Sequence, residues 1–200
     1  SKWLLMFRIL LIDDTVGDLA KTKKAVEALL LGHEYEITGV DGGNATDNGV
    51  ETFKTAKNGE KPFGLVVTDY EMGYKTAMTV LEKIRQIDGE VPIVIVSKNL
   101  QRGLKDSVFR LSKRAGWSLT AVLSKNDIWS EETNLGKTEF ETIVKNAVKV
   151  AQTEKTNAPS ASTRADVSDL PLPSTTKMHH NPHRRTSMVF AIPPTPKRLI

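Results

Sequence analysis

The chain has 200 residues, 39% of them hydrophobic, which is enough for one ordinary domain and an extension. It contains no cysteine, so disulfides, thiolate metal ligands and cysteine nucleophiles are excluded. The formal net charge of +4 lies wholly in the C-terminal stretch. From Glu154 to Ile200 seven Lys/Arg face three Asp/Glu, and the body keeps 21 of each sign, with no net basicity to suggest specific nucleic-acid binding.

The apolar run from Trp3 to Ile12 is broken by Arg8. It is too short to span a bilayer and has no small-residue cleavage site, so we expect no membrane partner and a cytoplasmic location. Met6 reads as a natural start, with Ser1 to Leu5 as an extension; a processed or excised fragment fits the same residues.

Phe7 to Ile12 reads as a buried strand that ends at Asp13-Asp14. Val16, Leu19, Ala20, Val26, Leu29 and Leu30 then fall on one helical face, and Gly32 stops the helix. Tyr35 to Val40 is a second strand, and Ala45 to Lys57 a helix with Val50, Phe53 and Ala56 inward. The apolar run Gly64 to Thr68 forms a third strand ending at Asp69.

Ala77 to Ile87 is helical, with Met78, Leu81 and Ile84 inward, and Val91 to Ser97 is a fourth strand. Leu104, Val108, Phe109 and Leu111 place a fourth helix that ends at Gly116, and Leu119 to Ser124 is a fifth strand. A long loop, Asn126 to Lys137, precedes the last helix. There Thr138 and Glu141 have capping-box spacing, and Phe140, Ile143, Val144, Ala147 and Val148 form the buried stripe. Trp117 and Trp129 flank the fifth strand as partial core.

Five strands alternating with five helices predict an α/β domain: a doubly wound, five-stranded parallel sheet with helices on both faces, over residues 6–152. Residues 153–200 hold seven of the nine prolines and three of the four histidines among Ser, Thr and Asn. Such a stretch buries too little apolar surface to offset chain entropy, and we expect a disordered, basic tail.

In sheets of this kind ligands bind beyond the carboxyl ends of the strands. The strands deliver Asp13 and Asp14, Asp69, Ser97 and Lys125 to that rim. Each alone has a plain explanation as a cap, a turn or a solvated charge; the convergence of all five calls for another. Two carboxylates about 4 Å apart repel by roughly 4 kcal/mol at an effective dielectric of 20, and three such pairs approach a whole domain's stability. Protons or a cation must offset this. All-oxygen ligands with open positions favour Mg²⁺. A metal, a lysine and a hydroxyl around an acid suit phosphoryl transfer, with one carboxylate free to act as nucleophile.

The motifs Leu11-Ile-Asp13-Asp14, Val66-Val-Thr-Asp69-Tyr-Glu-Met72, Leu81-Glu-Lys-Ile-Arg85, Pro92-Ile-Val-Ile-Val-Ser97 and Leu123-Ser-Lys125 resemble, in order and spacing, the receiver (CheY-like) domains of two-component response regulators. The resemblance implies a flavodoxin/CheY-like fold. It also implies a signalling switch in a phosphorelay, with slow chemistry of its own, in place of a turnover enzyme. Asp69 would accept phosphate from a phosphohistidine. Asp14 and Asp69 would bind Mg²⁺ directly, Asp13 through water, and the Glu71 carbonyl would complete the protein ligands. Lys125 would pair with the acyl phosphate and Ser97 would hydrogen-bond it. The partners implied are a sensor histidine kinase or histidine phosphotransfer protein, and a second copy through the face of the fourth helix, fifth strand and fifth helix.

Departures from the family pattern are Gly73 where proline is usual, Lys98 where a small residue is usual, Asn126 for proline, and Val122 for the switch aromatic. Lys98 is either a solvated lysine or a modulator that swings over the site. These changes motivate the alternative of a degenerate receiver that serves as a phosphorylation-independent docking module. A Mg²⁺ phosphohydrolase would need acids two apart on the first strand, where this chain has Thr15. In the tail, Arg184-Arg-Thr-Ser187 resembles a basic-directed kinase site, His179, His180 and His183 offer metal ligands, and Met188 to Ile192 could dock in a groove.

Overall fold

The computed structural model describes residues 6–59 and 61–157. Ser1 to Leu5, the tail motifs at residues 179–192 and the rest of 158–200 lie outside them. So does all of Ser160–Ile200, the second of the two units into which the chain divides.

The first unit contains β1 (Phe7–Ile12), α1 (Val16–Leu29), β2 (Tyr35–Val40), α2 (Ala45–Asn58), β3 (Leu65–Asp69), β4 (Glu71–Met72), β5 (Lys75–Thr76) and α3 (Ala77–Ile87). It continues with β6 (Ile93–Ser97), α4 (Arg102–Ala115), β7 (Ala121–Ser124), α5 (Lys125–Trp129) and α6 (Leu135–Asn157). Five strands form the expected doubly wound parallel sheet, in the order β2-β1-β3-β6-β7.

Alternation along each strand splits the core between the two faces. Ile9, Leu11, Leu65, Val67, Val94, Val96, Ala121 and Leu123 face α1, α5 and α6, where Val26, Ile128, Phe140 and Val144 meet them. Leu10, Ile12, Val66 and Ile93 face α2 and α3, where Phe53, Val80, Leu81 and Ile84 meet them. A smaller cluster of Ala77, Ile95, Val108 and Val122 lies under α4. Burying each such side chain fully contributes about 1.5–3 kcal/mol. The helix α2 lies close to β1: a Cβ on Gly49 would come within 2.5 Å of the Ile12 side chain.

Several local expectations are corrected. Val16 and Ala20 on α1, and Leu111 on α4, are exposed; the inward positions of α1 are Asp18, Leu19, Thr22 and Val26. The last helix starts at Leu135, three residues before the expected cap at Thr138. Asn134 is the residue that caps it, its Oδ1 accepting the Lys137 N–H at 2.8 Å. The loop before it contains the short helix α5. The hairpin β4–β5 was not legible as strands at all, because two-residue strands carry no periodicity. The helix α6 runs on to Asn157.

Candidate functional site

Register builds the rim. Ile12, the last residue of β1, stands beside Thr68, so Asp13 follows β1 next to Asp69, the last residue of β3. Asp69 lies beside Val96, and Ser97 beside Ser124, after which Lys125 follows. The chain thus brings Asp13, Asp14, Asp69, Ser97 and Lys125 to one edge, as their order in the sequence implied.

The centre is Lys125. Its side chain is 2% exposed, and its ammonium group forms ion pairs with three carboxylates: Asp13 Oδ2 at 2.7 Å, Asp69 Oδ1 at 2.9 Å and Asp18 Oδ2 at 3.1 Å, the last of these a hydrogen bond. Burial alone would lower its pKa, but the hydrogen bonds to Asp13 and Asp69 and their charges raise it.

The acids respond to burial differently. Desolvation pushes the Asp69 carboxyl up to about 6, against the pull of Lys125. Burial also raises Asp13, whose Oδ1 accepts the Thr15 N–H at 3.0 Å. Asp14 is held by the Gly73 N–H, 3.0 Å from its Oδ2. One oxygen from each of Asp13, Asp14 and Asp69 lies within 4.8 Å of the others, close enough to share one cation.

A further acid, Asp18 of α1, joins the site, and the strand-end pattern does not point to it. Burial would raise its pKa, but hydrogen bonds from Lys98 and Lys125 outweigh it and the pKa is lowered. Lys98 Nζ sits 2.8 Å from Asp18 Oδ1. The signal for Asp18 was its place on α1: Asp18, Thr22 and Val26 recur every four residues on the inward stripe, where an unpaired acid is too costly.

Around these groups lies Trp129, on α5. Its ring centroid is 4.9 Å from Lys21 Nζ, 5.7 Å from Lys98 Nζ and 5.9 Å from Lys125 Nζ, and its Nε1 donates to Thr22 Oγ1 at 3.1 Å. Ser97 is buried at the rim with its Oγ accepting the Asn99 N–H at 3.2 Å. Among the described residues no hydrogen bond joins it to the carboxylates. Val122 is away from the acids, fully buried in the cluster under α4. Glu71 opens β4, two residues past Asp69.

The donor set fits Mg²⁺. Four carboxylates against two ammonium groups leave two negative charges, which one divalent ion balances, and every ligand atom is oxygen. Among the described residues no helix is long and apolar enough to cross a membrane.

No protein-family profile and no curated protein matches the sequence. Solved structures do match in fold. A response regulator receiver domain protein from Clostridium thermocellum is 18% identical, with a TM-score of 0.51 over 74% of this chain and 99% of that one. A signal receiver domain from Vibrio parahaemolyticus is 16% identical, with a TM-score of 0.50 over 76% and 97%. A structure titled adenylate cyclase from Rhodopirellula baltica is also 16% identical, with a TM-score of 0.50 over 76% and 94%. The chain has the fold of response regulator receiver domains. One architecture here carries two functional names, so the chemistry must be argued from the side chains.

Proposed function

We propose that this receiver-fold chain is a phosphoacceptor switch of a two-component phosphorelay, taking a phosphoryl group from a phosphohistidine onto Asp69 and signalling through protein–protein contacts. The observation that carries this reading is the meeting of Asp13, Asp14 and Asp69 with a buried Lys125 beyond the carboxyl ends of β1, β3 and β7. A structural role alone would not bury a lysine among three acids, since replacing such a group with apolar side chains is often neutral or stabilising.

In this reading an Asp69 carboxylate oxygen attacks phosphorus as the P–N bond of the phosphohistidine breaks. The electron pair leaves with the imidazole, which takes up a proton, and Asp69 becomes an acyl phosphate. Mg²⁺, when bound, supplies charge neutralisation for the phosphoryl oxygens. Asp14, Asp69 and the Glu71 carbonyl would hold it directly and Asp13 through water. Lys125 would exchange one carboxylate for a phosphoryl oxygen. Ser97 would turn from the Asn99 N–H to donate to another. The step is slow and stoichiometric, as suits a switch and not a turnover enzyme.

The same reading places the chain in the cytoplasm, facing a sensor histidine kinase or a histidine phosphotransfer protein. A second copy would dock through α4, β7 and α6. The test is transfer of labelled phosphate from a phosphorylated histidine kinase in the presence of Mg²⁺. The label is expected to be acid-stable and base-labile. No label from several donors would leave the chain as a docking module instead.

A further inference from the structure

Lys98 follows Ser97 at the carboxyl end of β6, with its side chain 47% exposed and its ammonium group on Asp18 Oδ1 at 2.8 Å. The other oxygen of Asp18 takes Lys125 at 3.1 Å. One carboxylate, 8% exposed, therefore joins two ammonium groups, and the Trp129 ring flanks both.

The two lysines differ in freedom. Lys125 is buried and its ammonium group is paired with three carboxylates. Lys98 has one carboxylate partner, a half-exposed side chain and a flexible four-carbon stem. Conversion of Asp69 to an acyl phosphate replaces one negative charge with about two. That extra charge arises next to Lys125, one carboxylate away from Lys98. A cation on a flexible stem at this distance is drawn to it.

We infer that Lys98 is a second phosphoryl-binding cation, held on Asp18 while Asp69 is a free carboxylate and transferred to a phosphoryl oxygen once Asp69 is phosphorylated. The inference rests on the phosphoacceptor reading and deepens it. Asp18 is then the resting partner that competes with the phosphoryl group for both lysines.

The experiment uses the full chain with Mg²⁺ and beryllofluoride, an acyl-phosphate mimic, and measures affinity by titration calorimetry. Lys98→Met is expected to weaken binding by about tenfold or more, the effect of removing one hydrogen bond to a charged group. Lys98→Arg is expected to stay close to wild type. Asp18→Asn is expected to bind no more weakly than wild type. Wild-type affinity in Lys98→Met overturns the inference, as does Lys98→Arg as weak as Lys98→Met. The half-life of labelled acyl phosphate on Lys98→Gln gives a second readout: a half-life equal to wild type also overturns it. The two readings fail separately. Wild-type protein that binds beryllofluoride while Lys98→Met matches it removes only the role of Lys98. Wild-type protein that neither binds beryllofluoride nor takes label removes both.

Discussion

The Asp14 carboxylate accepts the backbone N–H of Gly73 at 3.0 Å, which ties the end of β1 to the hairpin that follows Asp69. A proline at this position would have no N–H to give. Gly73 also has φ of 60°, in the left-handed region, with nothing within 4 Å of a Cβ placed there. The cost of Gly73→Ala is therefore conformational and not steric. We expect a loss of roughly 1–2 kcal/mol in denaturant unfolding. An unchanged midpoint would contradict the turn assignment.

Stability should depend on pH through Asp69. Its carboxyl is harder to ionise in the folded protein, at about 6, than the ordinary 3.8, because it is buried. The folded state thus holds the proton longer than the unfolded state, and stability falls as pH rises through that window, by about 3 kcal/mol. Asp13, also raised by burial, adds in the same direction. Asp18 has the opposite sign: its pKa is lowered by Lys98 and Lys125 in spite of burial, so its contribution is present above the ordinary carboxyl range and is lost at lower pH. Denaturant unfolding in EDTA should show a declining limb between about pH 4 and 6 that flattens in Asp69→Asn. A variant profile parallel to wild type would rule this out.

Lys125 is the group whose loss should cost most. Lys125→Met leaves Asp13, Asp18 and Asp69 buried with less compensation, and breaking such a cluster costs about 3–5 kcal/mol. Mg²⁺ should return part of that stability by binding the folded state, with a melting temperature that rises with ion concentration. Equal melting of wild type and variant in EDTA would contradict the assigned balance of charge.

Val122 is fully buried among Ala77, Ile95 and Val108. Placing an aromatic there by Val122→Phe is expected to destabilise by about 1–3 kcal/mol through overpacking. A variant as stable as wild type would show that the cluster under α4 has room for an aromatic side chain.

The strands were legible because a fully buried parallel strand is a nearly continuous apolar run, as in Leu65 to Val67 and Ile93 to Val96. The rim was legible because strand ends fix where the following residue goes. Asp18 and Lys98 were harder. Lys98 stands out in the sequence only as a departure from the family pattern, and Asp18 not at all; their contact 2.8 Å apart, between distant parts of the chain, joins them. Val16 and Ala20 misled because a helical stripe of small apolar residues looks alike whether or not a neighbour covers it. Asn134 is hard to pick out as a cap because Lys137 stands at the third helical position, where a capping box has Glu or Gln.

The central claim is that Asp69 is the phosphoryl acceptor. The most direct measurement is borohydride trapping after transfer from a phosphohistidine donor with Mg²⁺, followed by peptide mass spectrometry. Reduction of an acyl phosphate on an aspartyl side chain yields homoserine. The account predicts homoserine at position 69 alone and none in Asp69→Asn. Homoserine at another position, or label that persists in Asp69→Asn, would contradict it.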